Sequence, residues 1–289
     1  MSDQASPTGG RELRLSPHVT QLRGPHGGKY PAGNPLRVTA GDTTVIIDST
    51  FGTDVSACDL LLLSHYHEDH VVGAGVHRGQ VAVHARDADA VRSWDGFRAA
   101  LGVEPGGWEH DMVEEFSWSA LPDASAFGDD AVFEVGGGVT IRVVPLPGHA
   151  AGHCGFMIEP DGVLYLADVD MSSFGPMYGD AGSSLADTRA TLAACAAMEA
   201  AVYAPYHHKG PYSDRDEYQA ALAAHSAVLD QRERRLLDLV AQGHATADAL
   251  VGRGVIFRPG PRPVYADAVE RTMCADHLAE LTRRGVLGG

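Results

Sequence analysis

The sequence reads as an α/β protein, on three observations. Short apolar runs recur along the chain, among them Leu60-Leu61-Leu62-Leu63, Val139-Thr140-Ile141-Arg142-Val143-Val144, Val163-Leu164-Tyr165-Leu166-Ala167 and Ala201-Val202-Tyr203-Ala204. Segments with apolar residues at a period near 3.6 follow, as a fold combining strands and helices requires. Each of those four runs also leads into a His or Asp as the chain leaves for a loop, which is where α/β proteins place their sites.

Taken in order, residues 1–12 are polar and punctuated by Gly and Pro, a loose leader. Strands are expected near 36–38, 45–48, 60–64 and 81–84, and a short helix over 87–94. The stretch 102–130 is rich in Gly, Pro and acids and carries Trp108, Phe116, Trp118 and Phe127. So long a connection is uncommon unless functional or mobile, so it reads either as a lid near the site or as an excursion whose aromatics are tucked in for packing. After Ser184, Leu185, Thr188, Leu192 and Cys195 recur at helical spacing. Ser213 or Asp214 can cap a helix through Tyr218, Leu222 and His225, with a second helix around 229–240. Beyond it, Thr246-Ala247-Asp248-Ala249-Leu250 and the stretch from Cys274 to Leu281 read as a small helical tail.

The densest chemistry is Ser64-His65-Tyr66-His67-Glu68-Asp69-His70. A strand holds alternate side chains on one side, so His65 and His67 can point into a common pocket. As the chain turns away, Asp69 and His70 can face a second position nearby. Imidazole suits zinc and iron, and a neighbouring carboxylate suits a hard, hydrolytic divalent ion. A single His or Asp at a strand end is more often structural, but four such ends in one chain argue for a metal site. His149 in Leu146-Pro147-Gly148-His149, Asp168 after Leu166-Ala167, and His207 or its neighbour His208 supply the further ligands.

These motifs resemble those of the metallo-β-lactamase superfamily over about residues 13–208. The resemblance implies an αβ/βα four-layer sandwich, two mixed sheets face to face with helices outside and the site at one edge. It implies that His65, His67 and His149 hold one metal, that Asp69, His70 and His207 hold a second, and that Asp168 bridges them. Asp48, closing Val45-Ile46-Ile47-Asp48, would brace the histidine loop from behind. Pro205-Tyr206-His207 fits the family's strand-end Pro-x-His, so His207 rather than His208 is the expected ligand. The tail resembles the small winged-helix-like C-terminal domain of some members, giving expected domains of 1–212 and 213–289.

Composition narrows the partners. The 289 residues suffice for one large core and a small appendage. A net charge of −16 disfavours nucleic acid, because phosphate binding needs a basic face. The four cysteines form no Cys-x-x-Cys pair, no signal-like apolar start is present, and no run approaches membrane-spanning length. A reduced, cytoplasmic protein that meets neither membrane nor nucleic acid is expected. Abundant Arg and Ala suggest a GC-rich bacterial genome. The acidity makes DNA recognition by the tail a poor fit and leaves an architectural or dimerisation role, hence a homodimer.

The expected activity is metal-dependent hydrolysis of a small thioester, lactone or ester, with two divalent ions, zinc first and iron or manganese as alternatives. The ions would lower the pKa of a shared water, and Asp69 would orient it and shuttle its proton. True β-lactamases of the family usually carry Cys or Ser near the place of Asp168, which turns the expectation toward the glyoxalase II-like and thioesterase-like branch. The alternatives are a mononuclear iron dioxygenase acting on a thiol or persulfide, a phosphodiester hydrolase, and a non-catalytic scaffold. The last leaves costly polar ligands around an empty pocket. Tyr178, Tyr206 and His208 are weaker candidates for touching substrate, and His26 and Lys29 for lining the mouth.

Overall fold

The computed structural model describes residues 12–102, 108–260 and 265–288. The first sheet runs in sequence order through β1 (Glu12–Arg14), β2 (Val19–Leu22), β3 (Leu36–Ala40), β4 (Thr43–Ile47), β5 (Leu60–Leu63), β6 (Gln80–His84) and β7 (Ser125–Phe127). It is antiparallel up to β4 and parallel from β4 to β7. The second sheet comprises β8 (Val132–Gly136), β9 (Val139–Pro145), β10 (Cys154–Glu159), β11 (Val163–Ala167) and β12 (Val202–Pro205), with β12 parallel to β11 and the remaining pairs antiparallel.

Period-two alternation builds the layers. Val45, Ile47, Leu62, Ile141, Val143, Phe156 and Tyr165 meet between the two sheets. Their neighbours Ile46, Leu61, Leu63 and Val83 face outward, against α1 (Ala88–Arg92), α2 (Trp94–Leu101) and α3 (Trp108–Phe116). On the second sheet Val144, Leu164, Leu166 and Tyr203 face α4 (Leu185–Ala197), α5 (Arg215–Ala241) and α7 (Ala266–Arg283). Strands apolar on both faces are what a doubly covered sheet demands. The result is the expected helix–sheet–sheet–helix sandwich with a helical C-terminal part.

Three local expectations change. The two helices expected after His208 are one, α5, of 27 residues, capped by the Asp214 carboxylate on Glu217 N–H. No Gly or Pro interrupts 215–241, so nothing ends the helix early. The stretch 102–130 contains α3 and β7, and residues 103–107 of it lie outside the described ones. Trp118 is 3% exposed, with its ring 4.0 Å from Trp94 and 4.9 Å from Phe97, so it packs under the first sheet's helices rather than forming a lid. The tail, including a short helix α6 (Ala247–Leu250), shares its core with the second sheet: Leu222, Leu236, Leu250, Met273 and Leu281 cluster with Leu164, Leu166 and Tyr178. No strand follows β12 among the described residues, so no wing is seen there.

Candidate metal centre

Strands β9, β11 and β12 point the same way, and their C-terminal ends release His149, Asp168 and His207 at one edge of the sandwich. Strands β4 and β5 release Asp48 and the histidine loop at that edge. Asp48 is fully buried and its carboxylate accepts from Ser64 N–H at 2.7 Å, Ser64 Oγ at 2.7 Å, His70 Nδ1 at 2.8 Å and Tyr165 Oη at 2.7 Å. Four donors, three of them on Oδ2, commit this carboxylate to bracing its neighbours. Asp48 and Ala167 both adopt left-handed backbone, at φ 59 and 45. Such strain in non-glycine residues gathers where a fold holds a functional constellation.

His65 Nε2, His67 Nδ1 and His149 Nε2 converge, separated by 2.9, 2.9 and 3.2 Å, and Asp168 Oδ2 lies 3.2 Å from the last. Each ring is fixed from its other nitrogen: His65 Nδ1 is 3.0 Å from Ser64 Oγ, His67 Nε2 is 2.7 Å from Asp180 Oδ2, and His149 Nδ1 is 3.1 Å from the Met177 carbonyl. Beside this group, Asp69 Oδ2 lies 3.3 Å from His207 Nε2 and 3.8 Å from His70 Nε2. Here the outer nitrogens are held by Asp48 and by the Ala32 carbonyl, 2.9 Å from His207 Nδ1. Asp168 joins the two groups, since its Oδ1 is 2.9 Å from His70 Nε2 and 3.6 Å from His207 Nε2.

The residues fit metal ions. Asp69 Oδ2 is buried without a hydrogen-bond partner among the described residues, and the buried His70 Nε2 and Asp168 Oδ1, 2.9 Å apart, have only each other. Buried polar atoms are normally satisfied, and these three all face one point. Three imidazole nitrogens about 3 Å apart match the ~3.3 Å edge set by zinc–nitrogen bonds of 2.0–2.1 Å. With the outer nitrogens held by acceptors, the converging ones are left to a cation, which would displace any proton they carry. Among the described residues, His65, His67, His149 and Asp168 form one group able to hold an ion, and Asp69, His70 and His207 a second. Burial works against ionising Asp168, but His70, His207 and His149 hold it well below the usual carboxylate range.

The remaining expected residues lie elsewhere. His208 is exposed, while His207 beside it is buried and aimed at Asp69. Tyr206 is fully buried, its hydroxyl 2.8 Å from Ser49 O and 2.6 Å from Asp69 O and its ring 3.8 Å from that of His70. Tyr178 is also fully buried and its hydroxyl meets His277 Nε2 at 2.8 Å. Neither tyrosine has a hydroxyl to offer a substrate, which corrects that expectation. Tyr206 instead braces the Asp69 loop.

Sequence reasoning missed two supports. Asp180 holds His67 and accepts from Tyr66 Oη at 2.6 Å; burial notwithstanding, its charge raises the His67 imidazole to about 9. His153 accepts from Asp168 N–H through Nε2 at 3.1 Å and donates through Nδ1 to Leu146 O at 2.7 Å. Burial first, then His149, lowers His153 to about 3 and keeps it neutral. The one available signal was a second His four residues after His149.

The family model described as Metallo-beta-lactamase superfamily matches residues 32–208, more than half of the chain. The chain belongs to the metallo-β-lactamase superfamily. No curated protein matches it. Solved structures similar to it include a metallo-β-lactamase family protein from Thermus thermophilus, at 22% identity and a TM-score of 0.69, covering 95% of this chain and 96% of that one. A β-lactamase domain protein from Burkholderia ambifaria is 17% identical with a TM-score of 0.64, covering 98% and 91%. A class B3 di-zinc metallo-β-lactamase from an Alaskan soil metagenome is 14% identical with a TM-score of 0.54, covering 74% and 91%. At these identities the likeness is one of fold.

Proposed function

We propose that this superfamily member is a binuclear metallohydrolase acting on a small ester-like substrate, a thioester, lactone or ester. The observation that carries the reading is Asp168, one carboxylate oxygen facing the His149 group and the other facing His70 and His207. Two divalent ions held there supply an activated water near neutral pH and a Lewis acid for a carbonyl oxygen. The chain's own part is positional. Ser64, Asp180, Met177, Asp48 and Ala32 fix five imidazoles, and His153 fixes the backbone of Asp168. Asp69, with Oδ2 free of hydrogen bonds, orients the nucleophile and passes its proton to the leaving group. Zinc is the simplest choice, given the His/Asp donors and the di-zinc neighbour of the same fold.

Metal content of protein purified without chelator or added metal tests this. About two divalent ions per chain, with turnover on a thioester, lactone and phosphodiester panel, is the expected result. One iron with nothing at the second position would move the reading to oxygen-dependent thiol or persulfide chemistry. Turnover confined to phosphodiesters would replace the ester reading.

A further inference from the structure

The loop 146–153, which carries His149, leaves the second sheet between β9 and β10, yet its imidazole must meet His65 and His67, which come from the first. The neck of the loop closes on itself: Leu146 N–H donates to His153 O at 3.0 Å and His153 Nδ1 donates to Leu146 O at 2.7 Å. One flank lies on α4. Ser184 N–H, at its N-cap, donates to Gly148 O at 3.0 Å, Thr191 Oγ1 donates to Pro147 O at 2.7 Å, and a Cβ on Gly148 would fall 2.4 Å from Thr188 N. The other flank faces the first sheet and its helices, where fully buried Ala150 clusters with Leu61, Leu63, Ala88 and Phe97.

Asp87 holds that second flank. It follows β6 and stands at the N-cap of α1, where an aspartate ordinarily accepts from its own helix. Here it makes no such bond. Its Oδ1 crosses instead to Gly152 N–H at 2.7 Å, and its Oδ2 is buried with no hydrogen-bond partner among the described residues. Asp87 is 2% exposed, and a carboxylate taken out of water for one backbone N–H costs more than an apolar side chain filling the same space. Gly152 is fitted to it, since a Cβ there would lie 2.6 Å from Asp87 Cγ, so the backbone comes as close as glycine alone permits. Outside the imidazole cluster, this is the one hydrogen bond among the described residues that ties 147–153 to the first sheet or its helices. A costly group spent on one contact, three residues from a metal-facing histidine, points to a task beyond packing.

We propose that Asp87 is a positioning residue for the metal held by His65, His67 and His149. It touches neither ion nor substrate. By drawing Gly152 toward the first sheet, it sets where His149 Nε2 stands, 3.2 Å from His65 Nε2 and 2.9 Å from His67 Nδ1, near the ~3.3 Å edge that zinc–nitrogen bonds require. The α4 contacts fix the loop to its own sheet, and Asp87 fixes it to the other. The inference deepens the binuclear reading and rests on it.

The test uses the full chain loaded with zinc for chelator competition and with cobalt for visible absorption, with thermal melts to check folding. His149→Ala marks which of the two positions is the first. Asp87→Ala weakens that position by about threefold to tenfold, less than the ~10–100-fold of a partner that touches the ring, and leaves the other unchanged. The cobalt bands of the first position shift in Asp87→Ala and in Gly152→Ala, which pushes the carboxylate away. Asp87→Asn keeps the Oδ1 acceptor and stays close to the parent in affinity and spectrum, a rescue that general destabilisation would not show. Parent-like affinities and bands in folded Asp87→Ala, equal weakening of both positions, or an Asp87→Asn as impaired as Asp87→Ala each overturn the role. If Asp87→Ala does not fold, Gly152→Ala decides: a shifted first position supports the role, and an unchanged one overturns it. A parent chain that takes up no metal removes the binuclear reading and this role together, and metal analysis of the parent shows that before any variant is made.

Discussion

The two ligand groups share Asp168 but stand on different parts of the molecule. Asp69, His70 and His207 are backed by Asp48 at the end of β4, by Tyr206 just after β12 of the second sheet, and by the Ala32 carbonyl in the loop between β2 and β3. His67 and His149 are backed by Asp180 and Met177, on the segment between β11 and α4. That segment is gripped by the C-terminal helices. Arg232 of α5, 1% exposed, donates to Pro176 O and to Phe174 O, Tyr178 meets His277 of α7, and His225 meets Ser172 O at 3.0 Å. A Cβ on Gly179 would lie 2.4 Å from Val269 Cγ1, so α7 is pressed directly on the segment. The tail thus underpins two of the three imidazoles of one metal position, while His65, through Ser64 and Asp48, and the second position rest on the sandwich.

The largest effect should come from the residue both groups share. Asp168→Ala removes a ligand from each, so metal content should fall at both positions and turnover should drop by more than the ~10–100-fold typical of an outer hydrogen-bond partner. Retention of one full equivalent would show that Asp168 serves a single position. Next come the braces. Asp180→Asn should weaken the first position by about 10–100-fold with the second little changed, and Asp48→Asn should weaken the second by as much and the first by less, because Ser64, which fixes His65, also rests on Asp48. Chelator competition resolving two affinities reads this directly, and equal weakening of both positions by either variant would remove the division drawn above.

Arg232→Met goes one contact further out. It fills similar volume but leaves the buried Pro176 carbonyl unpaired, a cost of about 1–3 kcal/mol, and frees the more exposed Phe174 carbonyl to water. The melting temperature should fall, and the first metal position should weaken by less than about tenfold, because the loss reaches His149 only through Met177. An unchanged first position in a folded Arg232→Met protein would mean that the segment holds its shape without the helices.

This asymmetry also explains what the sequence could say. The metal-facing residues stand on strand ends, and a strand's alternation with the adjacency of His65, His67, Asp69 and His70 makes them visible in one dimension. Asp48 was visible through the family resemblance alone. Asp180 and His153 were not, because each acts through a partner 113 or 15 residues away and neither sits in a pattern of its own. Nothing in the sequence sets Arg232 apart from the other charges of 229–240; the packing of α5 on 172–178 removes it from water. Tyr178 and Tyr206 misled because their positions in the chain flank the site while their hydroxyls turn into the protein. The single helix α5 was split on expectation alone, with no breaker to split it.

The smallest effect belongs to His208→Ala, and it is informative because its neighbour should behave oppositely. His207 is 5% exposed, with Nδ1 fixed on Ala32 O and Nε2 turned to Asp69 and Asp168. His208, one residue on, faces solvent. Successive residues leaving a strand point to opposite sides, so both cannot enter the same pocket. Metal analysis should find two ions per chain in His208→Ala and one in His207→Ala. If His208→Ala lost the second ion and His207→Ala kept it, the strand end would have to turn by one residue, the Ala32 contact would be lost, and the loop between β2 and β3 would no longer support the second position.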